Sequence, residues 1–134
     1  MSLLNGFIDH NGHPRLPILV EGPSGLSQTF DAIIDTGFTD FVLLPEMSAY
    51  ALGLLPTTSG VFRLASGERV SLTLALGVIK LSKAESYTGL VVLGESNNAL
   101  IGMQFLRQAK KAFYVDSNSA ALLDEDELRS IVSK

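Results

Sequence analysis

The feature that most restricts how this chain can fold is its punctuation. Apolar runs of strand length recur along the sequence, separated by clusters of Gly, Pro, Ser, Asn or Asp. Residues 16–21 form one such run, and Gly22-Pro23-Ser24-Gly25 ends it with a strong turn signal. Residues 28–35 give a second strand, with Phe30, Ala32 and Ile34 on one face and Asp31, Ile33 and Asp35 on the other. A short third strand follows at 41–44. Residues 61–64 and a longer run from Val70 flank Ala65-Ser66-Gly67-Glu68, which reads as a hairpin turn. In the longer run Val70, Leu72, Leu74 and Leu76 alternate with Ser71, Thr73 and Ala75, so the leucine face is expected to be buried. Gly77 is expected to bend the chain ahead of 78–81. Residues 90–93 are apolar throughout, as a strand covered on both faces is. Residues 112–115 and 120–123 read as two strands around Asp116-Ser117-Asn118.

Helical periodicity is confined to three short segments. Pro45 opens the first, and Met47, Tyr50, Ala51 and Leu54 at i, i+3, i+4 and i+7 mark its expected buried face. Residues 103–109 form the second, directly after Leu100-Ile101-Gly102. Asp124 is expected to cap the third, over 124–133, with Glu127 in the capping-box position and Leu128, Ile131 and Val132 on one face. Met47 and Met103 read as core residues. The fold class is therefore all-β, mainly strands with short helices. No linker or low-complexity tract divides the chain, so 1–134 is expected to be a single domain in which 1–15 precedes the first clear strand.

Composition removes several functions. Of the 134 residues 46% are hydrophobic and 18% charged, which suits a packed domain and argues against disorder. The net charge is −4 and no Lys/Arg cluster exists, so no nucleic-acid partner is expected. The Lys110-Lys111 pair reads as a solvated helix end. The absence of cysteine excludes a disulfide framework, a zinc ribbon and a thiol nucleophile. No apolar run approaches the length of a membrane span, and residues 1–14 lack the basic-then-apolar pattern of a signal peptide. A cytoplasmic protein with no membrane partner is the expectation. His10 and His13 are too few ligands for a metal site. A calcium loop counted from Asp116 lacks glycine at its sixth position, and Asp124-Glu125-Asp126-Glu127 suits the positive end of a helix. No Gly-x-Ser-x-Gly elbow and no phosphate-cradling glycine motif is present. Neither a metal nor a cofactor is expected.

Chemistry concentrates in Phe30-Asp31-Ala32-Ile33-Ile34-Asp35-Thr36-Gly37. Here an apolar strand ends in an acid, a hydroxyl and a glycine. The strand fixes the carboxylate at the edge of a core; Thr36 can hold the loop by hydrogen bonding; Gly37 permits a tight turn with its N–H exposed to the acid. Alone, such a junction is commonplace. Its setting is more specific: two apolar residues precede the acid, a short strand and a Pro-started helix follow, and a hairpin and an apolar-apolar-Gly element come later.

In that order these features resemble the retropepsin-like aspartic proteases, over roughly residues 16–123. The resemblance implies a closed β-barrel forming one lobe of a pepsin-like site and working as a homodimer. It implies that Asp35 is the catalytic acid, that Thr36 forms a cross-subunit grip beneath the site, and that Gly37 supplies the tight loop and a backbone N–H. Ala65, Ser66 and Gly67 would be the tip of a flap over the substrate. Leu100-Ile101-Gly102 would pass under the active-site loop. Phe38 departs from the family, where Ser or Ala usually follows the glycine; a bacterial branch resembling this family carries Asp-Thr-Gly-Phe and then a strand ending in Leu-Pro, as Leu44-Pro45 does here. Phe38 and Asp40 are candidate substrate contacts, although a loop-stabilising role for Asp40 is the simpler reading.

The chemistry explains why the resemblance implies a dimer. Two carboxylates about 3 Å apart cannot both ionise and so share a proton. One takes a proton from water while the other protonates the scissile carbonyl oxygen. The chain contains one Asp-Thr-Gly, so a two-fold axis must supply the second acid. The expected function is an aspartic endopeptidase acting on peptide or protein substrates. The competing reading is a non-cleaving retropepsin-like domain that dimerises or binds extended peptides. A phosphorylated Asp35 on a parallel α/β sheet fits neither the motif nor the strand pattern.

Overall fold

The computed structural model describes residues 3–64 and 66–132. In chain order the strands are β1 (Leu3–Asn5), β2 (Phe7–Ile8), β3 (Pro14–Glu21), β4 (Ser27–Ile34) and β5 (Val42–Pro45). Helix α1 (Glu46–Ala51) follows, then β6 (Pro56–Arg63), β7 (Arg69–Lys80), β8 (Ser86–Gly94) and β9 (Leu100–Ile101). Helix α2 (Met103–Ala109), β10 (Lys111–Val115), β11 (Ala120–Asp124) and α3 (Glu125–Val132) complete it. The chain is mainly β, as its punctuation implies.

Eight strands form one sheet in the order β2-β3-β4-β9-β5-β8-β7-β6, and β3 also pairs with β7. That extra pairing closes β3, β4, β9, β5, β8 and β7 into a barrel. Pro17 sits on β3 between the stretch paired with β2 at Arg15 and the stretch paired with β7 at Leu19. A strand can there dispense with an N–H. The barrel encloses Leu16, Ile18, Val20, Ala32, Phe41, Val42, Leu44, Ile79, Val91 and Ile101, all 1% exposed or less. A second sheet of three strands, β1-β11-β10, packs Leu4, Leu122 and Phe113 against the same core.

Aromatic rings brace the barrel beneath the loop that follows β4. Phe41 and Phe105 meet with centroids 5.4 Å apart and planes at 57°, and Tyr87 meets Phe105 edge-on at 5.5 Å. Each such pair adds about 0.5–1.5 kcal/mol beyond the burial of its area. Gly89 makes room for the Phe41 ring: a β-carbon there would come within 2.7 Å of it.

Several sequence expectations are corrected. The buried side of α1 is Ala49, with Leu52 and Leu54 just beyond, whereas Met47 is 78% exposed and Tyr50 43%. A six-residue helix tethered at Pro45 buries what its short connections turn inward, and that phase differs from the apolar periodicity. In β7 the inner face toward its end is Ala75, Gly77 and Ile79, and Leu76 is 56% exposed. The barrel needs small residues where β7 meets β8, so the face with the larger side chains is left outward. β7 also runs through Gly77 without a break. Among the described residues ahead of Leu16, β1 is a strand of the small sheet and β2 pairs with β3. As expected, Asp124 stands directly before α3; it also ends β11, and one of its carboxylate oxygens accepts a bond from Lys111.

Lys111, expected at a solvated helix end, is 7% exposed. Its ammonium lies 2.8 Å from Glu85 and 2.5 Å from Asp124. Burial by itself would lower the Lys111 pKa, but the hydrogen bonds to Asp124 and Glu85 outweigh it and raise the pKa above the ordinary lysine value. Lys110 takes the left-handed conformation that ends α2, at φ 54°, and this turns Lys111 inward.

Candidate active site

Asp35 is the first residue beyond β4, half-buried at the rim of the barrel. Its own N–H donates to the Ile101 carbonyl at 2.9 Å, anchoring the acid to β9. Gly37 donates its N–H to Oδ1 of Asp35 at 3.0 Å. Among the described residues no other group bonds this carboxylate, so Oδ2 stays open. Thr36 and Gly37 are exposed at the tip of the turn, which closes through a Phe38 N–H bond to the Asp35 carbonyl at 3.1 Å.

The loop is stitched to the start of α2. Gly102 donates to the Phe41 carbonyl at 2.9 Å, Met103 to the Phe38 carbonyl at 2.8 Å, and Gln104 to the Asp40 carbonyl at 3.2 Å. The first N–H groups of a helix have no partner within it. Here the loop after Asp35 supplies carbonyls for them, so the helix start and the loop hold each other in place. Leu100 and Ile101 run parallel to Ile33 and Ile34 on one side and antiparallel to β5 on the other. Gly102 permits this crossing, because a β-carbon would fall 2.1 Å from the Asp40 carbonyl oxygen and 2.7 Å from Cδ2 of Phe38. The Phe38 ring therefore lies against Gly102. Asp40 engages α2 through its backbone carbonyl.

Beneath the loop a cleft of about 270 Å³ is lined by Thr36, Met103, Leu106, Lys111, Phe113 and Glu125, among others. A larger depression of about 390 Å³, lined by Pro17, Leu19, Thr29, Lys80 and Lys83 among others, shares no residue with the Asp35 loop. Asp35 lines neither of these two hollows.

The hairpin of β6 and β7 pairs from Pro56 opposite Ala75 to Arg63 opposite Arg69. Its turn closes by a Leu64 N–H bond to the Glu68 carbonyl at 2.8 Å and a Gly67 N–H bond to the Leu64 carbonyl at 2.9 Å. Gly67 has φ 88°, which only glycine adopts without strain. Ser66 and Gly67 are exposed in this turn, while Ala65 lies outside the described residues. Sequence reading missed the first half of β6, Pro56 to Gly60, because Pro, Thr, Ser and Gly there read as a loop; pairing with β7, through a register shift between Pro56 and Thr58, overrides that propensity. It also missed Phe41 and Phe105 as supports of the loop, and their spacing along the chain carries no signal of contact.

The fold is retropepsin-like. It matches the crystal structure of a retropepsin-like aspartic protease from Rickettsia conorii with a TM-score of 0.60 and 22% identity, over 90% of each chain. The solution structure of simian foamy virus (mac) protease is a weaker match, at a TM-score of 0.46 and 15% identity over 68% of this chain and 91% of that one. No family model matches the sequence, and no curated protein matches it. Among the described residues no helix is long and apolar enough to cross a membrane.

Proposed function

We propose that the chain is one half of a homodimeric aspartic endopeptidase, with a site built from Asp35 of two copies. The observation that carries this reading is the Asp35 carboxylate at the end of β4, held by the Gly37 N–H through one oxygen and open at the other, in a retropepsin-like fold. An acid presented on a rim, with no second acid of its own chain beside it in the motif, gains a catalytic partner when a two-fold axis repeats it. The motif and Phe38 make the bacterial Asp-Thr-Gly-Phe type the particular branch proposed, with Phe38 packed on Gly102 in place of a hydroxyl beside the acid.

In the pair one carboxylate is charged and the other carries a proton. The charged one takes a proton from a water between them as that water attacks the scissile carbonyl carbon, and the other protonates the carbonyl oxygen. The tetrahedral diol then collapses as a proton passes to the leaving nitrogen and the C–N bond breaks. Water is the nucleophile, so no acyl-enzyme forms. In this reading Thr36, exposed beside the acid, bonds across the axis, and the turn at Ser66 and Gly67 closes over an extended peptide. The singly protonated pair is the working form, so the rate should be bell-shaped in pH on the acidic side of neutral.

The test is cleavage of an unstructured protein by wild type and Asp35→Asn from acid to neutral pH, with both first shown to be folded and of equal size. Cleavage by the wild type that disappears in the variant is the expected result. Cleavage that survives in Asp35→Asn assigns the activity elsewhere, and no cleavage from either folded dimer leaves a non-cleaving peptide-binding domain.

A further inference from the structure

The hairpin that carries Ser66 and Gly67 also carries two opposed positive charges. Arg63 and Arg69 stand directly across from each other, as the last pair of the β6–β7 ladder before the turn. The kind of pair they form follows from the next bond along. Leu64 donates to the Glu68 carbonyl at 2.8 Å, so the Leu64 and Glu68 peptide groups point across the hairpin. Arg63 and Arg69, one step back, are then a non-hydrogen-bonded pair. The Cα atoms of such a pair lie about 4.5 Å apart, the closer of the two spacings, and both side chains leave the sheet on one face. Like charges in that position repel and weaken the strand pairing.

Among the described residues nothing relieves that repulsion. Glu68 is the one acid between Pro56 and Ala75, and it pairs with neither arginine; the ion pairs lie elsewhere in the chain. Alternation turns Glu68 to the other face of the hairpin, away from Arg69. The side chains that share the arginine face, Ser59, Val61, Ser71 and Thr73, are uncharged. The other face is of a different kind: Phe62, Val70, Leu72 and Leu74 are apolar and half-buried, and a β-carbon on Gly60 would meet the Phe62 ring at 3.1 Å. Both arginines, by contrast, are exposed. They form a local positive site on a chain whose net charge is −4.

We propose that Arg63 and Arg69 form a clamp for an acidic side chain of the peptide being cut, and so determine substrate specificity. The inference rests on the two-chain peptidase reading above and deepens it by naming the substrate class, extended segments with Asp or Glu on both sides of the cleaved bond. A carboxylate has two oxygens and accepts parallel N–H bonds from guanidinium groups, whose donors form a fixed fork. Seated between two arginines, it also replaces their repulsion with attraction, so the hairpin and the peptide gain together. The clamp stands at the neck of the turn and not at Ser66 and Gly67, which sets its acid back from the scissile bond. A two-fold axis repeats the hairpin, and one clamp then serves each side of the cut.

The test takes a peptide spanning a bond that the intact protein cleaves and scans Glu against Gln at each flanking position. Glu at the clamped positions should lower KM relative to Gln by about fivefold or more. The preference should fade below about pH 4, where the substrate glutamate is protonated, and in high salt. In the double variant Arg63→Gln with Arg69→Gln the Glu and Gln peptides should become equivalent. Stability is read separately: Arg69→Gln removes one of two repelling charges and should not lower the urea midpoint. Equal KM values for Glu and Gln in the wild type overturn the proposal, as does a preference that survives the loss of both arginines. A midpoint that falls in Arg69→Gln also overturns it, since the pair would then support the hairpin itself. If the folded wild type cleaves nothing, fluorescence anisotropy of labelled unstructured peptides rich in Glu or in Gln decides. Tighter binding of the Glu peptide by the wild type alone keeps the clamp and removes the peptidase, and equal binding removes the clamp as well. Cleavage that depends on Asp35 but not on flanking Glu leaves the peptidase standing without the clamp.

Discussion

At Gly102 there is no space for a side chain, and the consequence reaches the acid. A methyl group would sit against the Asp40 carbonyl, and the same backbone carries the N–H bonds to Phe41, Phe38 and Asp40 that fix the loop. Backbone cannot move aside as a flexible side chain can. Gly102→Ala should therefore destabilise the fold by about 3 kcal/mol or more, within the range of overpacked and strained sites, read as a fall in the denaturation midpoint. A loss under about 0.5 kcal/mol, the level of an ordinary surface change, would show that the loop is not clamped this way. This residue was half legible in the sequence. Leu100-Ile101-Gly102 stood out as an apolar-apolar-Gly element before a helix, but contact with Phe38 and Asp40 follows from the crossing of strands and not from spacing. Asp35 was legible because three neighbouring residues each state a local constraint: a strand end, a hydroxyl and a turn glycine.

At the element scale, Lys111 joins three pieces that are distant in the chain: the turn before β8 through Glu85, β10 itself, and the end of β11 through Asp124. Removing one partner of a buried pair costs about 3–5 kcal/mol. Glu85 and Asp124 keep side-chain exposures of 25% and 34%, so water can recover them in part. Lys111→Met should then cost about 2 kcal/mol, read as a lower urea midpoint with an unchanged slope. The folded pKa is raised, so the contribution is fully present below the unfolded value of 10.5 and fades only as pH rises through the higher folded value. The midpoint difference between the two proteins should consequently be flat through neutral pH and shrink only in strong alkali. In the sequence Lys111 had no visible partner, since its carboxylates lie 26 and 13 positions away and ion pairing at such separations leaves no periodic trace. Strand identity was legible where runs were apolar, as in β3, β4 and β8. The burial phase was not legible in β7 or α1, where barrel closure, and not the pattern of large residues, selects the inner face.

Across the whole molecule, two acids act at the turns of opposite ends of the chain. In Asp116 the bonds from Asn118 N–H, the Tyr114 hydroxyl and Ser119 hold the carboxyl down to about 2. In Asp9 the Arg15 guanidinium first, then the His13 N–H, does the same, also to about 2. A depressed folded pKa gives stability that is present above the unfolded value of 3.8 and is lost as pH falls through the folded one. Stability should drop between about pH 4 and pH 2, and Asp9→Asn with Asp116→Asn should flatten that drop in urea titrations. An unchanged slope would remove both turns from the acid response. The architecture was legible as a mainly β chain because turn signals cut it into strand lengths. Barrel closure through β3 and β7 was not, since pairing between distant strands is written only in matched burial along both.

The central claim, that one active site needs Asp35 from two chains, is tested most directly by mixing. Wild type and Asp35→Asn are unfolded together, refolded in varying ratios at constant total protein, and assayed for cleavage. If each site takes one Asp35 from each copy, mixed dimers are inactive and the rate falls as the square of the wild-type fraction. A rate that falls in simple proportion to that fraction would mean that each chain carries a complete site of its own, and the two-chain dyad would be wrong.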